Sequence, residues 1–377
     1  MRKRNVWIIL VLLLVAVFGC ERRPLEEMWN STVRVIVKCT WTITAYPDGI
    51  KPDGVTMFFF RDGAYYSQVT TANVDSCEVQ LPTGHYKMFM ISQSPEEYWR
   101  MQFENLTDYN TAATTLRETN VTWATRVDNE VVVENPEVMC AGVSEEFDIT
   151  EKMVEDYQEY YTKVRSITKT RTKTKTKTKA GTRAEEDGDD ELTYYEERVR
   201  YYTIRIPVYP KNVVSQLWVS IYSGNADVLQ SVRASTSGMA RTFELTQGLT
   251  GPDKAIQIMT QWNLTMDDPV RRVGHIDGLI TTFGLPNGET PSAARDSSLN
   301  VSALLVDNST IANYTFDVGD KIQVLPPNLG YAHMYRLVFG SAENPAIILP
   351  DVRPTSGGGF VAAVDDWDEE VEANLLL

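Results

Sequence analysis

The chain has 377 residues, 43% hydrophobic and 23% charged, which is ordinary globular usage and excludes wholesale disorder and a polytopic membrane protein. That length exceeds one typical domain and suggests two. Lys and Arg number 36 against 51 Asp and Glu, for a net charge of -15. This excludes a general nucleic-acid role, because phosphate binding needs a concentrated basic surface.

The N-terminus carries Arg2, Lys3 and Arg4, an unbroken apolar run over 6–18, and then Gly19 and Cys20. The run is short of the roughly 20 residues a spanning helix needs, and positive charge flanks only its front. Basic, apolar and small-residue-cysteine elements in this order predict a lipoprotein signal peptide over 1–19, whose removal leaves Cys20 as the lipidated N-terminus. The alternative is an ordinary secretory signal with a chance cysteine. Cys39, Cys77 and Cys140 remain; an odd number allows at most one internal bridge, and the sequence does not choose the pair.

After a tether over 20–30, Val33, Val35, Val37, Cys39, Trp41 and Ile43 alternate with residues that are mostly polar, the period of a half-buried β-strand. Turns rich in Pro, Asp and Gly at 46–49 and 51–54 lead into a strand over 55–60. Further strands are predicted at 76–81, 85–91 and 130–134, and short strands at this spacing read as an N-terminal β-sandwich domain over 31–167. Within it, Met153, Tyr157, Tyr160, Tyr161 and Val164 recur at helical spacing and predict a helix over 151–167. From 168 threonine alternates with base, and an acidic block follows over 185–191. No large apolar side chain lies between Ile167 and Leu192, so nothing offsets the entropy of ordering them, and 168–196 is predicted as a low-complexity charged linker or loop. A C-terminal β-sandwich domain follows over 197–377. Its strands are predicted around Tyr202, Ile204, Ile206 and Val208, then at 213–222, 255–264, 299–306, 321–325 and 334–339. The fold class is all-β, two tandem sandwiches.

Catalysis finds no footing. His85, His275 and His333 pair with no nucleophile signature, and no phosphate-binding loop, dinucleotide fingerprint or His-Glu-x-x-His motif is present. No enzyme activity, catalytic residue, metal site or cofactor is predicted. The acidic groups at 189–191 and 365–370 lack EF-hand spacing and read as solvated faces. Lys169, Arg171, Lys173, Lys175, Lys177 and Lys179 would, in extended form, present positive charge to lipid phosphates or an extracellular polyanion. The other reading of that tract is a soluble spacer whose bases are partly offset by the acids that follow.

Several segments then align with a family. They are the lipobox, Arg23-Pro24-Leu25-Glu26, the alternating strand to Trp41, the Leu81-Pro82-Thr83-Gly84-His85-Tyr86 turn, and the tail with Gly359-Phe360-Val361 and Asp365-Asp366-Trp367. Val232-Arg233-Ala234-Ser235, Gly238-Met239-Ala240, Phe243-Glu244-Leu245 and Thr282-Phe283-Gly284-Leu285-Pro286 extend the match. Together they resemble lipoproteins of gut and oral Gram-negative anaerobes. More narrowly, they resemble the anchor-like branch of the fimbrillin superfamily of type V pili, many of whose members are described only as a domain of unknown function. The resemblance implies two transthyretin-like or Ig-like β-sandwiches, lipid-anchored to the outer membrane at the cell surface. It implies an anchor, tip or accessory role in a fimbria-like adhesive assembly. The expected partners are the bilayer through N-terminal acyl chains, pilus or other surface-protein subunits bound by β-strand addition, and a host or matrix ligand, with no nucleic acid. The residues leave one rival open, a glycan-binding lipoprotein of a polysaccharide-uptake system, for which Trp99, Trp123, Trp218 and Trp262 could stack on sugars.

Overall fold

A computed structural model describes residues 31–41, 51–124, 129–177, 186–289, 297–326 and 330–354. They are mostly β-strands, so the all-β expectation holds. No helix among them is long and apolar enough to cross a membrane. The chain divides into two compact units, the first comprising Met1–Val37, Glu78–His85 and Phe147–Ile206, and the second Lys38–Cys77, Tyr86–Glu146 and Pro207–Leu377.

In the first unit, strand Thr32–Cys39 lies in the middle of a three-stranded sheet, between Ser76–Pro82 and Ile204–Val208. Its alternation is realised as read: Val33, Val35 and Val37 are fully buried. Arg34 pairs with Glu78 across the strands on the other face. Two helices follow, α1 (Glu151–Lys177) and α2 (Glu186–Tyr202). Thr150 caps α1 by accepting the Met153 N–H at 3.3 Å. Burial falls on Val154 and Tyr157, so the apolar stripe is offset from the predicted one and Met153 is exposed. The Gln158 side-chain amide donates to the Thr32 carbonyl at 2.6 Å and ties α1 to the start of the sheet. Tyrosines and cations join the helices: Tyr160 stacks on Tyr202 with centroids 5.4 Å apart, and the Lys163 ammonium lies over Tyr160 and Tyr195.

The expected linker over 168–196 is helical where it is described. Residues 168–177 continue α1, and 186–196 belong to α2. Lack of apolar side chains precludes a packed core but not a helix, which satisfies its own backbone once a packed turn has nucleated it. Tyr202, expected in the first strand of the C-terminal domain, ends α2, and the strand begins at Ile204.

The second unit contains a two-sheet sandwich. One sheet runs Trp262–Asp268, Val273–Thr282, Ser215–Gly224, Met334–Phe339, Gln323–Leu325; the other runs Ile311–Asp317, Ser298–Leu305, Leu229–Ala240, Lys254–Met259, Val131–Val133. Leu217, Val219, Ile221, Ile276, Tyr335 and Leu337 of the first pack with Val232, Ala234, Leu299, Val301 and Ala303 of the second in one core. The single strand expected over 255–264 is two strands, one in each sheet. The predicted face is not shared: Ile256 and Ile258 pack with Val132 and Ala124, Trp262 joins the sandwich core, and Leu264 is exposed. Trp262 is buried opposite Gly278, where a Cβ would stand 2.9 Å from the indole. Only glycine leaves room for that ring.

Two further sheets complete the unit. One runs Lys211–Asn212, Cys140–Val143, Gly84–Ser92, Val55–Arg61, Ala64–Thr71, and the other Leu249–Thr250, Thr242–Glu244, Ala113–Leu116, Met101–Glu104. Residues from both expected domains, 31–167 and 197–377, thus share sheets: Thr242–Glu244 pairs with Ala113–Leu116, and Lys254–Met259 with Val131–Val133. Phe58, Phe60 and Phe89 form a stacked aromatic core with Leu116, Phe243 and Phe283.

The hairpin turn after Ser298–Leu305 carries a pH-dependent contribution. Asp307 accepts hydrogen bonds from the Ser309 and Thr310 N–H groups and from both hydroxyls, at 2.6–3.3 Å. Burial raises its pKa, but these bonds outweigh that and hold the carboxyl at about 2. A depressed folded pKa stabilises above the ordinary carboxylate range and is lost as pH falls towards 2. The urea midpoint of Asp307→Asn should lie below wild type at pH 7 and converge with it between pH 5 and 2; a constant offset would contradict this.

Candidate functional site

The second unit holds a cleft of about 840 Å³ whose walls include two sheet edges. One is Lys211–Asn212, which ends its sheet beyond Cys140–Val143; the other is Leu249–Thr250, which ends its sheet beyond Thr242–Glu244. Each edge strand has only two residues.

The first edge is fixed from behind. The Asn212 amide donates to the Gly330 carbonyl at 2.7 Å, and its oxygen accepts the Val214 N–H at 2.8 Å. Gly142, directly behind, would place a Cβ 2.9 Å from Val208 and 3.2 Å from Pro210, so the segment before the edge lies against bare backbone. The second edge follows a turn in which Gly248 adopts φ +69° and donates its N–H to the Glu244 carbonyl at 2.9 Å. The Thr250 hydroxyl donates to Leu285 at 2.6 Å.

Between the edges, Val213, Phe243 and Leu245 are buried and line the cleft. Phe243 reaches the interior through Phe283, 5.9 Å centroid to centroid. At the mouth Val143, Tyr209 and Leu249 are 42%, 60% and 50% exposed. An apolar floor, exposed apolar side chains at the rim and two short strands at sheet ends are features that strand addition uses.

The residues singled out from the sequence lie elsewhere. Lys169 is exposed on α1, and Arg171, Lys173, Lys175 and Lys177 continue that helix. Over the described residues 169–177 the tract is therefore helical and not extended. Lys179 and Cys20 lie outside the described residues. Cys39, Cys77 and Cys140 are buried and form no disulfide, and burial pushes the Cys39 thiol up to about 12 and the Cys140 thiol higher. His85 bonds Asp148 at 2.8 Å and His275 bonds Asp267 at 2.8 Å, while His333 lines the cleft. The tryptophans make no common shelf: Trp262 is core, Arg233 covers Trp123 at 4.6 Å, Arg336 covers Trp218 at 4.8 Å, and Trp99 stands exposed.

A family profile described as a domain of unknown function, DUF5119, matches residues 19–260. The chain belongs to that family. None of the curated proteins matches it. Among solved structures, a candidate adhesin from Bacteroides ovatus ATCC 8483 is 14% identical with a TM-score of 0.51, over 89% of this chain and 99% of that one. This DUF5119 chain therefore shares that adhesin's fold. The fimbrial anchor protein Mfa2 from Porphyromonas gingivalis is 12% identical with a TM-score of 0.44, over 81% and 90% of the two chains. A fimbrial assembly protein from Parabacteroides distasonis ATCC 8503 is 9% identical with a TM-score of 0.32, over 81% and 90%.

Proposed function

We propose that the chain is a surface lipoprotein that serves as an anchor, tip or accessory component of a fimbria-like adhesive assembly and binds its partner by taking an extended strand into the cleft. The observation that carries this reading is the pair of sheet edges, Lys211–Asn212 and Leu249–Thr250, on either side of an apolar floor. Family membership, the candidate adhesin with the same fold and the fimbrillin resemblance of the sequence support it. Capture of the full-length chain from cross-linked outer membranes should bring down a pilus-type surface subunit, and capture of no surface protein would contradict the reading.

Anchoring rests on Cys20, the thiol at the lipobox position. Two buried acyl chains give stable attachment where one gives only marginal binding. Cys20→Ala should move the protein out of the membrane fraction or leave it as an uncleaved precursor. Unchanged fractionation with retained fatty-acid labelling would remove the lipoprotein claim. The basic residues of α1 serve, in this account, as a soluble spacer.

A further inference from the structure

Trp99 is 82% exposed, yet the loop that carries it is firmly held. Tyr98 turns inward, 2% exposed, with its hydroxyl 2.7 Å from the Ser92 carbonyl and 2.9 Å from the Ser92 hydroxyl. That hydroxyl also accepts the Cys140 N–H at 2.8 Å. The two oxygens of Glu137 accept the Trp99 N–H at 2.9 Å and the Arg100 N–H at 3.1 Å. The Glu97 N–H donates to Ser94 at 3.0 Å, and the Arg100 carbonyl accepts the Arg117 N–H at 2.9 Å. An indole gains a few kcal/mol when it leaves water, and a loose loop would fold it down. This backbone fixes it outward.

We propose that Trp99 is the stacking platform of a carbohydrate-binding site, with Arg100 and Glu97 as its hydrogen-bonding groups. Three features select a sugar. No other large apolar side chain of the 94–100 loop is exposed, whereas a protein interface needs a contiguous apolar core within roughly 800 Å² on each partner. The neighbouring carboxylates of Glu96, Glu97 and Glu137 repel the anionic headgroups that a membrane-docking tryptophan would meet. A pyranose matches both conditions, because its C–H face covers one aromatic ring and its hydroxyls need donors and acceptors around the rim. The Arg100 guanidinium has no hydrogen-bond or ion-pair partner among the described residues, and its donors are available to those hydroxyls. The site lies apart from the lining of the cleft and does not rest on the strand-binding reading.

The test uses the full mature chain and a fixed panel of cellohexaose, maltohexaose, mannan and N-acetyllactosamine. Binding is read by calorimetry and by the indole N–H resonance of Trp99. At least one probe should bind and shift that resonance. Trp99→Ala should weaken it at least about tenfold with an unchanged thermal midpoint, because the ring is exposed, and Trp99→Phe should lose less. Arg100→Gln should weaken binding without altering the fold. Absence of binding by every probe, binding that Trp99→Ala leaves intact, or an equal loss in a variant of the cleft would overturn the proposal.

Discussion

Phe89→Ala should destabilise the protein by about 3–5 kcal/mol, the cost of deleting a buried aromatic ring that its surroundings cannot refill. Phe89 is fully buried, stacked on Phe58 at 4.7 Å and lying 5.8 Å from Phe60. Its cluster also contains Phe243 and Leu245, which line the cleft. The cavity should therefore be felt twice, as a lower urea midpoint and as weaker partner retention under conditions where the variant is still folded. A loss under about 1 kcal/mol by denaturant titration would mean that this aromatic core is not what supports the cleft.

Val143→Glu combined with Leu249→Glu should abolish partner capture while leaving the fold intact. Both side chains are already 42% and 50% exposed, and exposed substitutions away from special features usually stay within about 0.5 kcal/mol. In the complex the carboxylates would face the apolar side chains of the incoming strand, and burying unpaired charge is costly. Retention of the partner from cross-linked outer membranes should fall about a hundredfold, as expected when central apolar anchors are lost. Wild-type capture should change little between low and high salt, because backbone hydrogen bonds and apolar contacts are not screened as exposed charges are. Replacing Lys169, Arg171, Lys173, Lys175 and Lys177 together with glutamine should leave capture unchanged. Capture that survives the double glutamate variant but is lost with those bases would assign binding to α1.

The strands legible in the sequence were those with a strict period and a single buried face or an unbroken apolar run, such as Thr32–Cys39, Val55–Arg61 and Met334–Phe339. Leu229–Ala240 is the longest strand described and was not legible. It buries Ser235, Thr236 and Ser237, and the Ser237 hydroxyl is satisfied by accepting the Ser298 N–H at 2.9 Å. No hydrophobicity pattern reports such a strand. Charge composition misled at 168–196, since the absence of apolar residues speaks against a core and not against a helix continuing from a packed turn. The cleft was invisible for another reason. Its edges are two-residue strands, and Val143, Val213, Phe243 and Tyr331 come together only through sheet order. Which tryptophan is exposed likewise depends on tertiary neighbours, Arg233, Arg336 and Gly278, that no local period encodes.

Site-specific photocrosslinking from the rim of the cleft tests strand capture most directly. With Leu249 replaced by benzoylphenylalanine in the full chain on intact cells, irradiation should give one principal adduct. Mass spectrometry should map it to an extended segment of alternating apolar residues in a surface-protein subunit, and the adduct should vanish when Val143→Glu is added. No adduct at position 249, together with a strong one when the same probe replaces Lys169 on α1, would contradict the account.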